Sequence, residues 1–337
     1  MDWFERITGF RECSYQDTKS RLEVEGVQLR SRANGKVYGI GRLRIPTLGE
    51  LRNSVNSAKL GAGNLTIRLV SGDVRAMHSD SDNATALFQV ASQFNLLEMV
   101  SPNVTPDMGV TRYASDLTQG PACAIAAGAA TIYRNYFALV GDQQGQTAEL
   151  QVDCLNRMGH ALETALGRPI SELWAMRNGY ALCTADGLRS IARHLESLDE
   201  DSRDSLRAAL QIGLHEDVEV TDGARDQPVI VSQAFCSALP VAYSGHPKSL
   251  WEPFARLVLD AAYEATLLCG VLNMERGRSN RVLLTALGGG AFGNDPSWIY
   301  DAMVRALDRV KSFGLDVRLV SHGSPRPMYR TIIDRFQ

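Results

Sequence analysis

Residues 283–301, LLTALGGGAFGNDPSWIYD, constrain the fold of this chain more than any other stretch. A short apolar run at 282–287 reads as a buried strand. It ends in Gly288-Gly289-Gly290 and continues through Ala291-Phe292-Gly293-Asn294. Asp295 can cap a following helix, and Pro296 suits its first position, where the N–H has no partner in any case. That helix is expected to run on through Trp298, Met303 and Leu307. A strand, a glycine-rich loop and a helix N-terminus in succession form an anion cradle. Glycines let the backbone come close, and free amides and the helix dipole point at a phosphate. The stretch predicts a pyrophosphate site.

Gly288, Gly290 and Gly293 also fit the G-x-G-x-x-G pattern of dinucleotide-binding sheets. That site needs a carboxylate at the end of the next strand, about 20 residues on, to hold a ribose. The next strand is expected at 315–320, and Ser321 and His322 follow it. The dinucleotide reading fails on that context. A merely tight strand–helix turn is the plainer alternative, but three consecutive glycines exceed what a turn needs.

The chain has 337 residues, 45% hydrophobic and 22% charged, enough for a sizeable core in about two domains or one elaborated α/β domain. A net charge of −3 argues against a general nucleic-acid or membrane-surface binder. No hydrophobic run approaches the roughly 18 residues needed to span a membrane. The opening MDWFERITGF lacks a signal-peptide apolar region, so a cytoplasmic location is expected. Six cysteines, at 13, 123, 154, 183, 236 and 269, form no C-x-x-C pair and read as reduced core residues. The six histidines are equally dispersed. Neither a metal nor a cofactor is expected.

Two strands are expected at 21–30 and 35–44, joined at Ala33-Asn34-Gly35. A helix over 48–60, a strand over 65–77 ending near Gly72-Asp73, and a strand at 85–91 follow. Residues 99–118 read as a long loop, and such loops in compact domains are usually functional or disordered. Helices are expected at 121–137, 155–166, 184–198 and 250–273, with strands inside 206–220 and 229–243. Strands that alternate with helices, with ligand-type loops after the strand ends, predict a layered α/β fold with its ligand at those ends.

Gly72-Asp73-Val74 at a strand end, a second strand ending in Asn95, a small-residue helix start at Gly120-Pro121-Ala122 and the loop 288–294 occur in that order. Together they resemble a macrodomain. The similarity covers roughly 65–137 and 229–320. It implies a layered mixed sheet flanked by helices, an N-terminal extension over 1–64, and a catalytic domain over 65–330 with a largely helical insertion at about 143–222. The usual Asn-Ala-Ala-Asn is replaced by Ala-Ser-Gln-Phe-Asn at 91–95, and the glycine-rich first loop by 96–119. No Gly-Gly-Gly followed by Gln-Glu-Glu occurs, so the poly(ADP-ribose) glycohydrolase signature is absent. Residues 88–95 and 118–122 are similar to a divergent, bacterial-effector-type branch of macrodomain hydrolases that acts on ADP-ribosylated arginine.

The resemblance implies ADP-ribose and an ADP-ribosylated protein as partners. Asp73 would accept from the adenine amino group, an acceptor-only carboxylate suiting an exocyclic amine. Gly289, Gly290, Ala291, Phe292 and Gly293 would hold the diphosphate, with Phe292 also packing on the distal ribose. Asn95 would bond that ribose, and Gly120 and Pro121 would offer a second set of amides. Gln233, Ser237 and Tyr243 are further candidates for the cleft. Hydrolysis of an N-glycoside passes through an oxocarbenium-like state that a carboxylate can stabilise, or for which it can activate water. Asp116 ranks first for that role, then Glu98, then Asp107. Tyr113 could stack on the substrate or anchor the loop. Three functions fit this set: an ADP-ribosyl hydrolase, a non-catalytic ADP-ribose-binding module, and a hydrolase of a free ADP-ribose-type metabolite.

Overall fold

The computed structural model describes residues 1–58, 61–222 and 228–337. A seven-stranded mixed sheet runs through it. Its strands, numbered here in chain order, are β1 (Arg42–Arg44), β2 (Thr66–Ser71), β3 (Leu87–Ala91), β4 (Gly213–Glu219), β5 (Ile230–Cys236), β6 (Arg281–Leu284) and β7 (Asp316–Ser321). Their spatial order is β1-β4-β5-β3-β6-β7-β2. The five strands β5, β3, β6, β7 and β2 are mutually parallel, and β4 runs against both of its neighbours. The layered mixed α/β architecture expected from the sequence is the one that forms.

Strand β3 shows how the layers are assembled. Leu87, Phe88, Gln89 and Val90 are all buried, as in a parallel strand covered on both faces. Successive side chains point to opposite faces. Phe88 stacks on His78 of the short helix Val74–Ser79, with ring centroids 3.8 Å apart. Gln89 instead donates to Thr266 Oγ1 at 3.1 Å, on the long helix Lys248–Glu275. One layer therefore holds helices Val74–Ser79, Gln119–Ala126 and Gly128–Tyr136, and the other holds Lys248–Glu275 with its neighbours Leu48–Ser57 and Pro296–Val310. By length and mean hydropathy the long helix could cross a membrane, against the expectation that no hydrophobic run approaches that length. Most of its apolar stretch is buried inside the fold.

Several expected boundaries shift for visible reasons. The strand expected at 21–30 is a hairpin, Leu22–Glu25 against Gln28–Ser31, turning at Gly26. The strand expected at 35–44 is divided: Val37–Gly39 joins that hairpin and β1 joins the main sheet. Gly41 lies between them at φ 62°, and a β-carbon there would stand 1.9 Å from the Glu216 carbonyl oxygen. The helix expected over 48–60 is Leu48–Ser57, opened by a Thr47/Glu50 capping box; Lys59 and Leu60 lie outside the described residues. The helix expected over 121–137 breaks at Ala127. Thr221 occupies the break, its amide donating to the Ala126 carbonyl and its Oγ1 accepting the Gly128 amide. Residues 143–222 hold the helices Asn156–Leu166, Ile170–Leu173, Ala185–Ser197 and Glu200–Ala208, which make up less than half of the segment, and also supply the hairpin Trp174–Arg177/Tyr180–Cys183 and strand β4. Five cysteines are buried and Cys13 is exposed, so the core expectation fails there.

The N-terminal residues are part of the packing. Trp3, Phe4, Ile7 and Tyr15 share a core cluster with Leu97, Met99, Tyr113, Ile125 and Ile132. On the other layer, Arg52, Arg305 and Arg309 converge on Glu264, at 2.6, 2.7 and 3.3 Å. The Glu264 side chain is 1% exposed. Removing one partner of a buried ionic group leaves the others uncompensated. Glu264→Gln is expected to lower stability by about 3 kcal/mol, read as a shift in the urea midpoint at unchanged slope. An unchanged midpoint would show that the cluster is energetically idle.

Candidate active site

The C-terminal ends of the five parallel strands open into one cavity of about 740 Å³, within the usual range for small-molecule sites. Ala238 follows β5, Ser92 follows β3, Thr285 to Leu287 follow β6, His322 follows β7, and Gly72 and Asp73 follow β2. Ligands of open parallel sheets bind outside those ends.

The glycine loop forms one wall. Its shape is held internally: Gly289 N–H donates to the Ala286 carbonyl, Gly293 N–H to that of Gly290, and Asn294 N–H to that of Gly288, each at 3.0 Å. Gln89 Oε1 accepts the Thr285 amide at 3.2 Å, and the Tyr263 hydroxyl accepts that of Leu287 at 2.8 Å. Among the described residues, the amides of Gly288, Gly290, Ala291 and Phe292 donate to nothing, and these four residues line the cavity. The expected cradle therefore narrows. Gly289 and Gly293 shape the loop with amides already engaged, and neither lines the cavity. Asp295 accepts the Ser297 amide at 3.0 Å and opens helix Pro296–Val310, as the sequence predicts.

The opposite wall is the start of helix Gln119–Ala126. Gln119 fastens it to β3: Oε1 accepts the Ala91 amide at 2.9 Å and Nε2 donates to the Gln89 carbonyl at 2.8 Å. A β-carbon on Gly120 would stand 2.1 Å from the Ala91 carbonyl oxygen and 2.3 Å from Glu98 Oε2. Only glycine lets this helix start approach so closely. Pro121 lines the cavity with its ring and has no N–H to offer, so the amides expected from Gly120-Pro121 reduce to those of Gln119 and Gly120.

Three carboxyl groups were candidates for catalysis, and the fold brings two of them to the cavity. Glu98 lines it, is 2% exposed, and has no hydrogen-bond partner for Oε1 among the described residues. Its backbone N–H donates to the Tyr113 hydroxyl at 3.0 Å. Burial pushes the Glu98 carboxyl well above the usual carboxylate range; Arg134 opposes that shift and Asp116 adds to it. Arg134 lies behind the site, fully buried. It donates to the Leu96 carbonyl and to Thr131 Oγ1, and sits 3.8 Å over the Phe235 ring. Burial pulls it down to about 10. Asp116 is half-buried in the cavity lining, with Oδ1 accepting the Thr118 amide at 2.9 Å. Asp107 is placed elsewhere. Its Oδ2 accepts the Ala148 amide at 2.6 Å and it does not line the cavity, so the fold keeps it from the place expected of a catalytic carboxylate.

Asn95 also departs from expectation. Its Nδ2 donates to Gln151 Oε1 at 2.8 Å and its Oδ1 accepts the Leu97 amide at 3.1 Å, which ties the insertion to the loop start away from the cavity. Ser92 and Gln93 line the cavity instead. Asp73 lines the cavity, and its Oδ1 accepts the Arg75 amide to cap helix Val74–Ser79. Tyr243 lines it; Gln233 and Ser237 do not. Gln233 is spent on the Cys123 carbonyl and His78, and Ser237 on the Ala238 carbonyl. Tyr113 is 1% exposed and anchors the loop.

Sequence reasoning missed two contributors. Tyr180, from the hairpin inside 143–222, meets Phe292 and Tyr243 at 5.3 and 5.1 Å between ring centroids. Nothing in its local sequence marks it. Glu12 accepts the Val110 and Thr111 amides, the Thr111 hydroxyl and the Tyr136 hydroxyl, and so pins the loop that carries Tyr113.

No protein-family model and no curated protein matches the chain. Among solved structures it is similar to poly(ADP-ribose) glycohydrolase from Deinococcus radiodurans in complex with ADP-ribose, at 12% identity and a TM-score of 0.46, over 87% of this chain and 93% of that one. It is also similar to poly(ADP-ribose) glycohydrolase from Thermomonospora curvata, at 11% identity and a TM-score of 0.44, over 95% and 94%. The same enzyme bound to the inhibitor ADP-HPD gives 13% identity and a TM-score of 0.44, over 95% of each chain.

Proposed function

We propose that this chain is a hydrolase that cleaves the N-glycosidic bond between ADP-ribose and a protein side chain, with arginine as the linked residue. The observation that carries the proposal is Glu98. It is a buried carboxyl group whose proton affinity burial raises, in the wall of a cavity whose other wall is a loop of free amides. A neutral carboxylic acid donates a proton. As the bond from the ribose anomeric carbon to the guanidine nitrogen breaks, its electron pair stays on nitrogen and Glu98 supplies the proton there. Water adds to the anomeric carbon and its proton passes to Asp116, which also faces the positive charge that develops on the sugar. The free amides of Gly290, Ala291 and Phe292 hold the diphosphate, Asp73 takes the adenine amine, and the faces of Tyr180, Tyr243 and Phe292 give the sugar and a cationic side chain a surface. A simple binder of an anionic ligand gains nothing from Asp116 in its cavity.

The test supplies arginine-ADP-ribosylated protein and poly(ADP-ribose) in parallel and measures free ADP-ribose. Release from the arginine linkage is the expected result. Release from the polymer alone would keep the hydrolase and remove arginine. Binding of ADP-ribose with no release from either substrate would leave a binding module.

Turnover is expected to survive EDTA. Among the described residues no three His, Cys, Asp or Glu side chains gather as a metal site. Loss of turnover in the chelator, restored by magnesium, would recast Glu98 and Asp116 as metal ligands.

A further inference from the structure

Arg326 lies at the other side of the glycine loop, in the segment between β7 and the last helix, Pro327–Phe336. It lines the same cavity and is partly buried. A β-carbon on Gly289 would stand 3.5 Å from its Nη1, so the guanidinium lies against the loop that carries the free amides. Its charge is felt by Tyr263, whose hydroxyl holds the Leu287 amide, and by Tyr329.

What sets Arg326 apart is that no hydrogen bond or ion pair engages it among the described residues. The other described arginines that are at least partly buried are engaged. Arg52, Arg75, Arg168, Arg207, Arg256, Arg276, Arg281, Arg305 and Arg318 pair with carboxylates. Arg134 and Arg203 donate to carbonyls. Arg326 does neither among the described residues. A partly buried guanidinium without an acceptor, set beside unpaired amides, is arranged for an anion that arrives from outside.

We propose that Arg326 is a diphosphate clamp: its guanidinium closes the cradle from the C-terminal side and bonds the phosphate oxygens that the amides of Gly290, Ala291 and Phe292 hold from the other. The ligand class is a diphosphate ester. The inference rests on the reading of the cavity as an ADP-ribose site, and makes affinity depend on ligand charge.

Titration calorimetry with inorganic pyrophosphate, ADP-ribose and adenosine, on the full chain and on Arg326→Ala and Arg326→Lys, tests it. Arg326→Ala is expected to bind pyrophosphate and ADP-ribose about tenfold or more weakly, to bind adenosine as before, and to lose part of the salt dependence of the wild type. Arg326→Lys is expected to recover part of the affinity, since it keeps the charge and loses the fork. An equal loss for adenosine would make Arg326 structural and overturn the clamp, as would undiminished pyrophosphate binding by Arg326→Ala. If the wild type binds pyrophosphate through Arg326 but does not bind ADP-ribose, the clamp stands and the ADP-ribose reading falls. If it binds neither, both fall.

Discussion

Glu98→Gln is expected to lower release of ADP-ribose from modified arginine by about 10²–10⁴-fold, the usual weight of a positioned proton donor, with ADP-ribose affinity changed little. The substitution keeps the shape of a buried side chain whose Oε2 abuts Gly120. It removes only the proton that can be given away. Asp116→Asn is the companion measurement. Asp116 leads on sequence grounds, because it stands two residues before the Thr118-Gln119-Gly120 helix start. The structure gives the buried position and the raised proton affinity to Glu98 instead. Both variants are expected to be slow, with kcat carrying the loss. Near-wild-type turnover by Glu98→Gln beside a dead Asp116→Asn would return the leading role to Asp116. Full activity in both would remove the carboxylate mechanism.

The pH dependence separates the two groups further. Glu98 must hold its proton to act as acid, so turnover is expected to fall as pH rises through its raised pKa, and that alkaline limb should disappear in Glu98→Gln. Stability follows the same sign. A carboxyl whose folded pKa is raised above its unfolded value, 4.5, contributes stability that is fully present below that value and is lost as pH rises through the folded one. Wild-type stability is therefore expected to decline toward alkaline pH more than that of Glu98→Gln, which denaturation midpoints at several pH values will show.

The parts of the fold that local chemistry determines were legible in the sequence. The strand, glycine loop and capped helix at 283–301 could be read because turn glycines, Asp295 and Pro296 act within a few residues of themselves. Features decided by contacts distant in sequence were not. Ala127 does not look like a helix break until Thr221 lies across it. Asn95 looks like a ribose ligand until Gln151 claims its amide, and Asp107 looks like a catalytic acid until the Ala148 amide reaches it. Tyr180 and Arg326 enter the cavity from segments whose own periodicity is ordinary. Candidates near the strand ends therefore line the cavity, and Asn95 and Asp107, which do not, are ones whose polar side chains have a distant partner.

Gly290→Glu is expected to abolish ADP-ribose binding while leaving the fold intact. The position permits the change. Gly290 does not have a left-handed φ, and a β-carbon built there meets nothing within 4 Å, so the new side chain enters open cavity without strain. What it meets is the ligand. Its carboxylate would stand among the free amides of Gly290, Ala291 and Phe292, the place proposed for the dianionic diphosphate. Two unit charges about 4 Å apart repel by roughly 4 kcal/mol at an effective dielectric constant of about 20, which corresponds to about a thousandfold in affinity. Gly290→Ala adds the β-carbon without the charge and is expected to bind within a few-fold of wild type, so the pair isolates electrostatics from bulk. For the same reason ADP-ribose should bind the wild type more tightly than AMP, whose single phosphate uses only part of the cradle. Calorimetry with both ligands on the three proteins, alongside their thermal midpoints, reads these effects. Normal binding by Gly290→Glu, or equal affinity for AMP and ADP-ribose, would mean that the loop 288–294 is a turn and that the anion lies elsewhere.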